Sequence, residues 1–349
     1  MTDLQMVWGW QPSLYLFLGG MGAGAFVTAA LLYFRNPERS RSVACASSWG
    51  AIVCLAVGLL CLLTELTNPL RGLMLWQSFS HFTSWMTIGA WLLVAAMAVF
   101  FLFAVLSLKK IQEALLQREG WFSAHGTTVL KALAAIGAVV GLGVAAYTGI
   151  LLMMAPGVPL WNSAQLPVLF TVSGLDTGVA LVEIIALVKP VENSLAEKDM
   201  RLLEKLVVVL VVTELAVLAL FFGPMLTQGN TPDPSAVAAG QLLLDGALAP
   251  AFWGLVVLAG LALPLVMALW ALLVHKTPSK TELTDESESD GADEGGKPKR
   301  RLSIALVLGP IGALAGGCAL RFLVVMAGIH GDPLASSMAA LFGDMVGLL

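Results

Sequence analysis

The stretch WGWQPSLYLFLGGMGAGAFVTAALLYF, Trp8 to Phe34, decides the fold. It opens with a polar and aromatic lip (Trp8, Trp10, Gln11, Tyr15), passes through a glycine ladder (Gly19, Gly20, Gly22, Gly24), and closes on Tyr33, Phe34 and the basic Arg35. No charge interrupts it, and ~20 apolar residues rising ~1.5 Å each are what ~30 Å of hydrocarbon demands. It therefore reads as a membrane-spanning helix with a chemically equipped outer end. A basic leading segment and a small-residue cleavage site are both missing, so it is not read as a removed signal peptide. The Gly20-x-Gly22-x-Gly24 run follows no strand, which argues against a dinucleotide loop. Gly20 with Gly24, like Gly137 with Gly141, instead has the spacing that lets two helices approach closely.

The rest of the chain agrees. Of 349 residues 58% are hydrophobic and 12% charged, with mean hydropathy +0.86, against ~25% charged in soluble domains. Eight apolar windows fit the span length: Ser13–Phe34, Val43–Thr64, Thr83–Ser107, Thr128–Leu152, Leu166–Val188, Lys205–Met225, Pro250–His275 and Leu302–Gly328. Such long periods exclude a transmembrane barrel. The expectation is an all-α integral membrane protein of eight transmembrane helices, in contact with lipid and with no nucleic-acid partner.

Orientation follows from the basic residues. All but Arg71 and Arg321 of the 19 lie in or beside alternate connections: after the first, third, fifth and seventh windows. Positive charge marks the cytoplasmic side, so both termini are expected on the periplasmic side of a bacterial inner membrane. Three regions follow: residues 1–276 with seven spans, an acidic Gly/Ser-rich linker at 277–301 with the composition of a disordered cytoplasmic segment, and residues 302–349 with the eighth span and a tail.

Cys45, Cys54, Cys61 and Cys318 have no Cys-x-x-Cys pairing, and His81, His125, His275 and His330 sit at helix ends or in loops rather than facing each other at depth. Neither an iron–sulfur cluster nor a haem b is therefore expected in this chain. Chemistry has to come from the polar residues inside or beside the spans. Asp176 and Glu183, seven apart, share one helix face, and Glu214 falls in the middle of the next span. Carboxylates at that depth cost about 2.5–3.5 kcal/mol each, so they should face the bundle interior, paired or carrying a proton. They form a candidate proton path toward the cytoplasm. Arg321, lying in the outer third of the last span, should find an inward partner such as Asp176 or Glu65.

Topology gathers the remaining polar groups at the outer end: Gln11, Tyr15, Glu65, Asn68, Arg71, His81, Trp85, Tyr147, Asn162, Asp176 and Arg321. Aromatic walls, carbonyl-directed donors and proton-exchanging carboxylates suit a quinone head group. Glu65, His81 and Asp176 are the candidate proton-handling groups; Gln11, Tyr15, Asn68, Arg71, Trp85, Tyr147 and Arg321 are the candidate binding groups. A proton-coupled secondary transporter is the alternative; it calls for a midplane site between internal repeats, whereas these residues lie toward one face.

Several segments in this order resemble the NrfD/polysulfide-reductase membrane subunits: Tyr15 to Gly20 with Gly24-Ala25, Asn68-Pro69-Leu70-Arg71, Ser84-Trp85-Met86 with Gly89-Ala90-Trp91, Tyr147-Thr148-Gly149, Trp161-Asn162-Ser163 with Leu166-Pro167, Ser173-Gly174 with Thr177-Gly178, and Arg321 to Gly328. The resemblance implies two four-helix bundles and a quinone (menaquinone or ubiquinone) near the outer face. It implies docking of a four-cluster ferredoxin-like iron–sulfur subunit, which exchanges electrons with a molybdopterin or multihaem catalytic subunit. It also implies that Tyr147 contacts the quinone and that Gln11 stands where a relative has a hydrogen-bonding Asn or His. Where relatives often read Asp-Leu-Gly-Arg-Pro, this chain has Glu65-Leu66-Thr67-Asn68-Pro69, keeping the acid and displacing the arginine to Arg71. The expected activity is a quinol-oxidising half-reaction within such a complex.

Overall fold

The structure, a computed structural model, describes residues 8–65, 84–117, 121–155, 157–188, 195–226, 233–274 and 304–330. Among them there is no β-strand, and eight helices are long and apolar enough to cross a membrane. In chain order the elements are α1 (Trp10–Arg35), α2 (Pro37–Glu65), α3 (Trp85–Leu106), the short α4 (Lys109–Gln117), α5 (Trp121–Met153), α6 (Gln165–Val188), α7 (Glu197–Leu226) and the short α8 (Pro234–Leu244). Next comes α9, which runs through Ala249–Ala251, a π-helical Phe252–Ala262 and Leu263–Val274, and then α10 (Ile304–Met326). The chain is thus a multi-pass membrane protein.

A single residue turns the chain between the first two spans. The Asn36 N–H donates to Leu32 O at 3.1 Å and closes α1, while its Oδ1 accepts from the Arg39 N–H at 3.4 Å and opens α2. Pro37 at the first helical position gives up an N–H that needs no partner there, and Glu38 suits the positive helix end. Hence α2 starts six residues before the expected Val43, as a polar turn below the apolar run.

The spans form two groups of four. In one, α1, α2, α3 and α5 pack together; in the other, α6, α7, α9 and α10 do, and α1 lies against both α6 and α10 across the join. The most enclosed element is α1, with 78% of its apolar window buried in protein against 33% for α3. Its glycine ladder explains why. A Cβ on Gly24 would stand 2.1 Å from Gly174 O, and one on Gly22 would stand 2.9 Å from Ala51 O, so α6 and α2 touch α1 backbone to backbone. On the third side, Phe26 stacks on Phe100 of α3 at 3.8 Å and fills the space left by Gly137 of α5. In the second group Gly316 of α10 meets Gly260 of the π-helical segment in the same way. Small residues here do what apolar side chains do in water-soluble cores, because lipid gives no hydrophobic drive to bring helices together.

Candidate functional site

Two clusters of polar side chains lie inside the bundle, and Arg321 stands between them. The first is at the end where α1 begins. Here Tyr15 and Tyr147 are buried at 3% and 5% exposure, with their phenol groups in electrostatic reach of each other. The Tyr15 ring rests against Gly58 of α2, and the Tyr147 ring crosses α3 over Gly89. Glu65, the last residue of α2, lies in electrostatic reach of the Gly9 N–H, just ahead of α1. The half-buried Gln11 lies beside Gly9. Trp85 opens α3 one turn before Gly89 and is 41% exposed. Thus Gln11, Tyr15, Glu65, Trp85 and Tyr147 come from four helices to one end of one bundle. Asn68, Arg71 and His81 lie outside the described residues.

A lid of tryptophan covers the neighbouring corner. Trp161 is 1% exposed, its Nε1 donates to Val324 O at 2.9 Å, and its ring lies 5.6 Å from that of Trp8. Asn162, the next residue, is exposed.

The second cluster is acidic. Asp176 on α6 and Glu214 on α7 are 2% and 3% exposed and interact electrostatically, and both line a narrow cleft with Ser173, Gly260 and Gly317. Among the described residues the Asp176 Oδ1 has no hydrogen-bond partner. Farther along α6, Glu183 and Glu204 of α7 line one cavity of about 50 Å³ between α6, α7, α9 and α10, together with Met200, Pro264 and Met267. A water needs roughly 10–15 Å³ of such space, so this cavity has room for a few.

Arg321 is wholly buried, and it does not make the carboxylate ion pair expected of it: among the described residues no carboxylate lies within 4.0 Å of the guanidinium. It donates instead from Nε to Leu16 O (3.2 Å), from Nη1 to Ser173 Oγ (3.0 Å) and Gly317 O (2.8 Å), and from Nη2 to Phe170 O (3.2 Å). The rings of Phe170 and Phe17 flank it at 5.2 and 5.9 Å. A planar fork with five donors satisfies acceptors on three helices at once, which a single carboxylate would not require. Glu214 remains within electrostatic range. Arg321 thus holds the residue after Tyr15 on one side and the serine of the acidic cleft on the other.

Glu204 is absent from the sequence-derived set because the expected span began one residue later, at Lys205. The helix begins at Glu197, and the buried stripe Glu204, Val207, Val211, Glu214, Leu218, Phe221 repeats in steps of three and four. Extending that stripe backward was the signal that would have included it.

These spans and buried polar clusters define a class: the chain belongs to the family described as Polysulphide reductase, NrfD, whose model matches residues 2–279. It is accordingly a membrane-anchor subunit of a respiratory oxidoreductase complex. Among its relatives are the C subunit of polysulfide reductase from Wolinella succinogenes, 32% identical over 75% of this chain and 83% of the relative, and protein NrfD of Escherichia coli K12, 30% identical over 76% and 85%. An NrfD homolog of Haemophilus influenzae is 28% identical over 75% and 83%. The family match stops at residue 279, so Arg321 to Gly328, and α10 as a whole, lie beyond it.

Proposed function

We propose that this subunit oxidises quinol at the Tyr15–Tyr147 end of the bundle, on the periplasmic side, and passes the electrons to an iron–sulfur partner. The observation that carries the reading is the convergence of two buried phenols, an amide, a carboxylate and an indole from four helices at one membrane-boundary end. That donor set fits a flat ring with an oxygen at each end: phenol and amide groups meet oxygens, and the indole offers a flat apolar wall. Quinol, when bound, supplies two electrons and two protons.

The residues divide the remaining work. Tyr147 and Gln11 orient the ring by hydrogen bonds to its oxygens, with Tyr15 beside them. Glu65 lies near the Gly9 N–H, and it or His81 accepts a hydroxyl proton and hands it to the aqueous boundary. Asn68 and Arg71 complete the binding set. The partners in this reading are a four-cluster ferredoxin-like subunit and a molybdopterin or multihaem catalytic subunit. Family membership supports it over the transporter alternative, and so does the position of the phenol cluster toward one end rather than the midplane. We assign the linker at 277–301 to the cytoplasm and both termini to the periplasm.

The acidic cleft and cavity supply a second element, a proton route from the opposite side through Glu183, Asp176 and Glu214. Glu183 and Asp176 are ~10 Å apart along α6, too far for direct transfer, and water in the cavity beside Glu183 shortens the remaining gaps.

The reading is tested in membrane vesicles containing the intact complex, with quinol oxidation followed optically. Tyr147→Phe and Glu65→Gln should each lower it on the order of tenfold or more, the usual scale for a positioned hydrogen bond or proton acceptor. Wild-type rates in both variants would remove this site assignment.

A further inference from the structure

We propose that Gly89 is a positioning residue for Tyr147, the notch in α3 that allows the phenol ring to lie across that helix at the quinol site. The proposal rests on the reading of Tyr147 given above. A Cβ added at Gly89 would stand 1.8 Å from Tyr147 Cζ, 2.2 Å from its hydroxyl oxygen and 2.3 Å from Cε1. Contacts of this kind below 3.0 Å essentially do not occur, so the ring cannot occupy its place beside any other residue type.

The ring also has nowhere to retreat. Tyr147 is 5% exposed, and a helical side chain has only two well-populated χ1 directions. Two residues along α5, Gly149 is pressed against α6, where an added Cβ would lie 2.4 Å from Pro167 Cα. The helix that carries Tyr147 is thus backed by α6 and cannot withdraw from α3. Gly58, under the other phenol, is different: its nearest Tyr15 atom would be 3.4 Å from an added Cβ, an ordinary contact. Of Gly58 and Gly89, each under a phenol ring, only Gly89 leaves no room for a Cβ. Four residues before it on the same face is Trp85, so the notch sets where the phenol lies relative to the indole as well as to Tyr15.

The experiment is a double-mutant cycle on the intact complex with Gly89→Ala, Tyr147→Ala and their combination, with Tyr147→Phe as a reference. Its readouts are quinol KM and kcat, titration with a fluorescent quinone-site inhibitor, and the thermal midpoint in detergent. Gly89→Ala should raise quinol KM and weaken the inhibitor by about tenfold to a hundredfold, the scale on which ~1 Å misplacements act. Adding Gly89→Ala to Tyr147→Ala should change neither, and should leave the midpoint level or raise it, because the new methyl enters space the ring has left. Wild-type KM in Gly89→Ala would overturn the proposal, as would an equal further loss in the Tyr147→Ala background or failure of the double variant to assemble. If Tyr147→Phe and Tyr147→Ala both keep wild-type quinol kinetics, the quinol reading fails instead. The midpoints of the cycle then decide the steric claim alone.

Discussion

Gly178 of α6 lies directly on the backbone of Gly24 of α1: a Cβ added to Gly178 would stand 2.2 Å from the Gly24 carbonyl carbon. With Gly20 and Gly174 one turn away, the two helices share a seam along which main chain meets main chain. Gly178→Leu should therefore force the helices apart and abolish assembly, and Gly178→Ala should lower the thermal midpoint by an amount corresponding to about 1–3 kcal/mol, the scale of overpacking. An unchanged midpoint for Gly178→Ala would show that the seam yields more readily than its geometry indicates.

Arg321 joins three helices through one planar group, so charge alone should not replace it. Lysine carries its donors on one nitrogen and cannot reach acceptors on α1, α6 and α10 together. Arg321→Lys and Arg321→Gln should both destabilise, on the order of 3 kcal/mol for the loss of charge-assisted bonds worth about 1.5–3 kcal/mol each. Ser173→Ala, which removes one acceptor, should cost less. Thermal unfolding in detergent ranks the three, and a Lys variant equal to wild type would contradict the clamp.

Asp199, buried near the start of α7, pairs with the half-exposed Arg35 of α1 at 3.2 Å. Removing either partner has unequal consequences. Arg35→Ala strands a buried carboxylate, whereas Asp199→Asn keeps a polar group of the same size and leaves Arg35 in water. The first should destabilise by about 1–3 kcal/mol, below the ~3–5 of a fully buried pair because Arg35 is solvated. The second should cost a fraction of that. Equal midpoint losses would show that the asymmetric burial carries no energetic weight.

Glu204 lines the same small cavity as Glu183, and the proton route proposed through Glu183 is here extended to include it. Glu204→Gln and Glu183→Gln should each slow quinol-driven proton uptake in oriented vesicles on the order of tenfold, the lower end of what a proton-transfer group contributes. Uptake at the wild-type rate in Glu204→Gln would exclude that residue from the route.

The sequence showed the spans well because membrane insertion imposes a simple rule: ~20 apolar residues with charge at the ends. It showed their ends poorly where polar turns extend a helix out of the hydrocarbon. Pro37–Ser42 at the start of α2 and Glu197–Glu204 at the start of α7 are both helical. That second extension is why Glu204 escaped notice. The phenol cluster was legible because Tyr15 and Tyr147 are rare residue types at matching ends of their spans. The partner of Arg321 was not, since backbone carbonyls carry no sequence signal, and a guanidinium prefers several such acceptors to one distant acid. Gly89 was visible as a motif letter, but the ring above it required three dimensions.

The clamp at Arg321 also bears on biosynthesis. Of the eight spans among the described residues, α1 is translated before the other seven, and it offers its Leu16 carbonyl to a side chain on α10, which is translated after them. These two are the least apolar of the eight, each with hydropathy 1.7. The span α1 thus combines low apolarity with a partner that is translated some 300 residues later. Maturation cannot proceed strictly from N-terminus to C-terminus. The α1 face that meets Arg321 is completed only when α10 has been made.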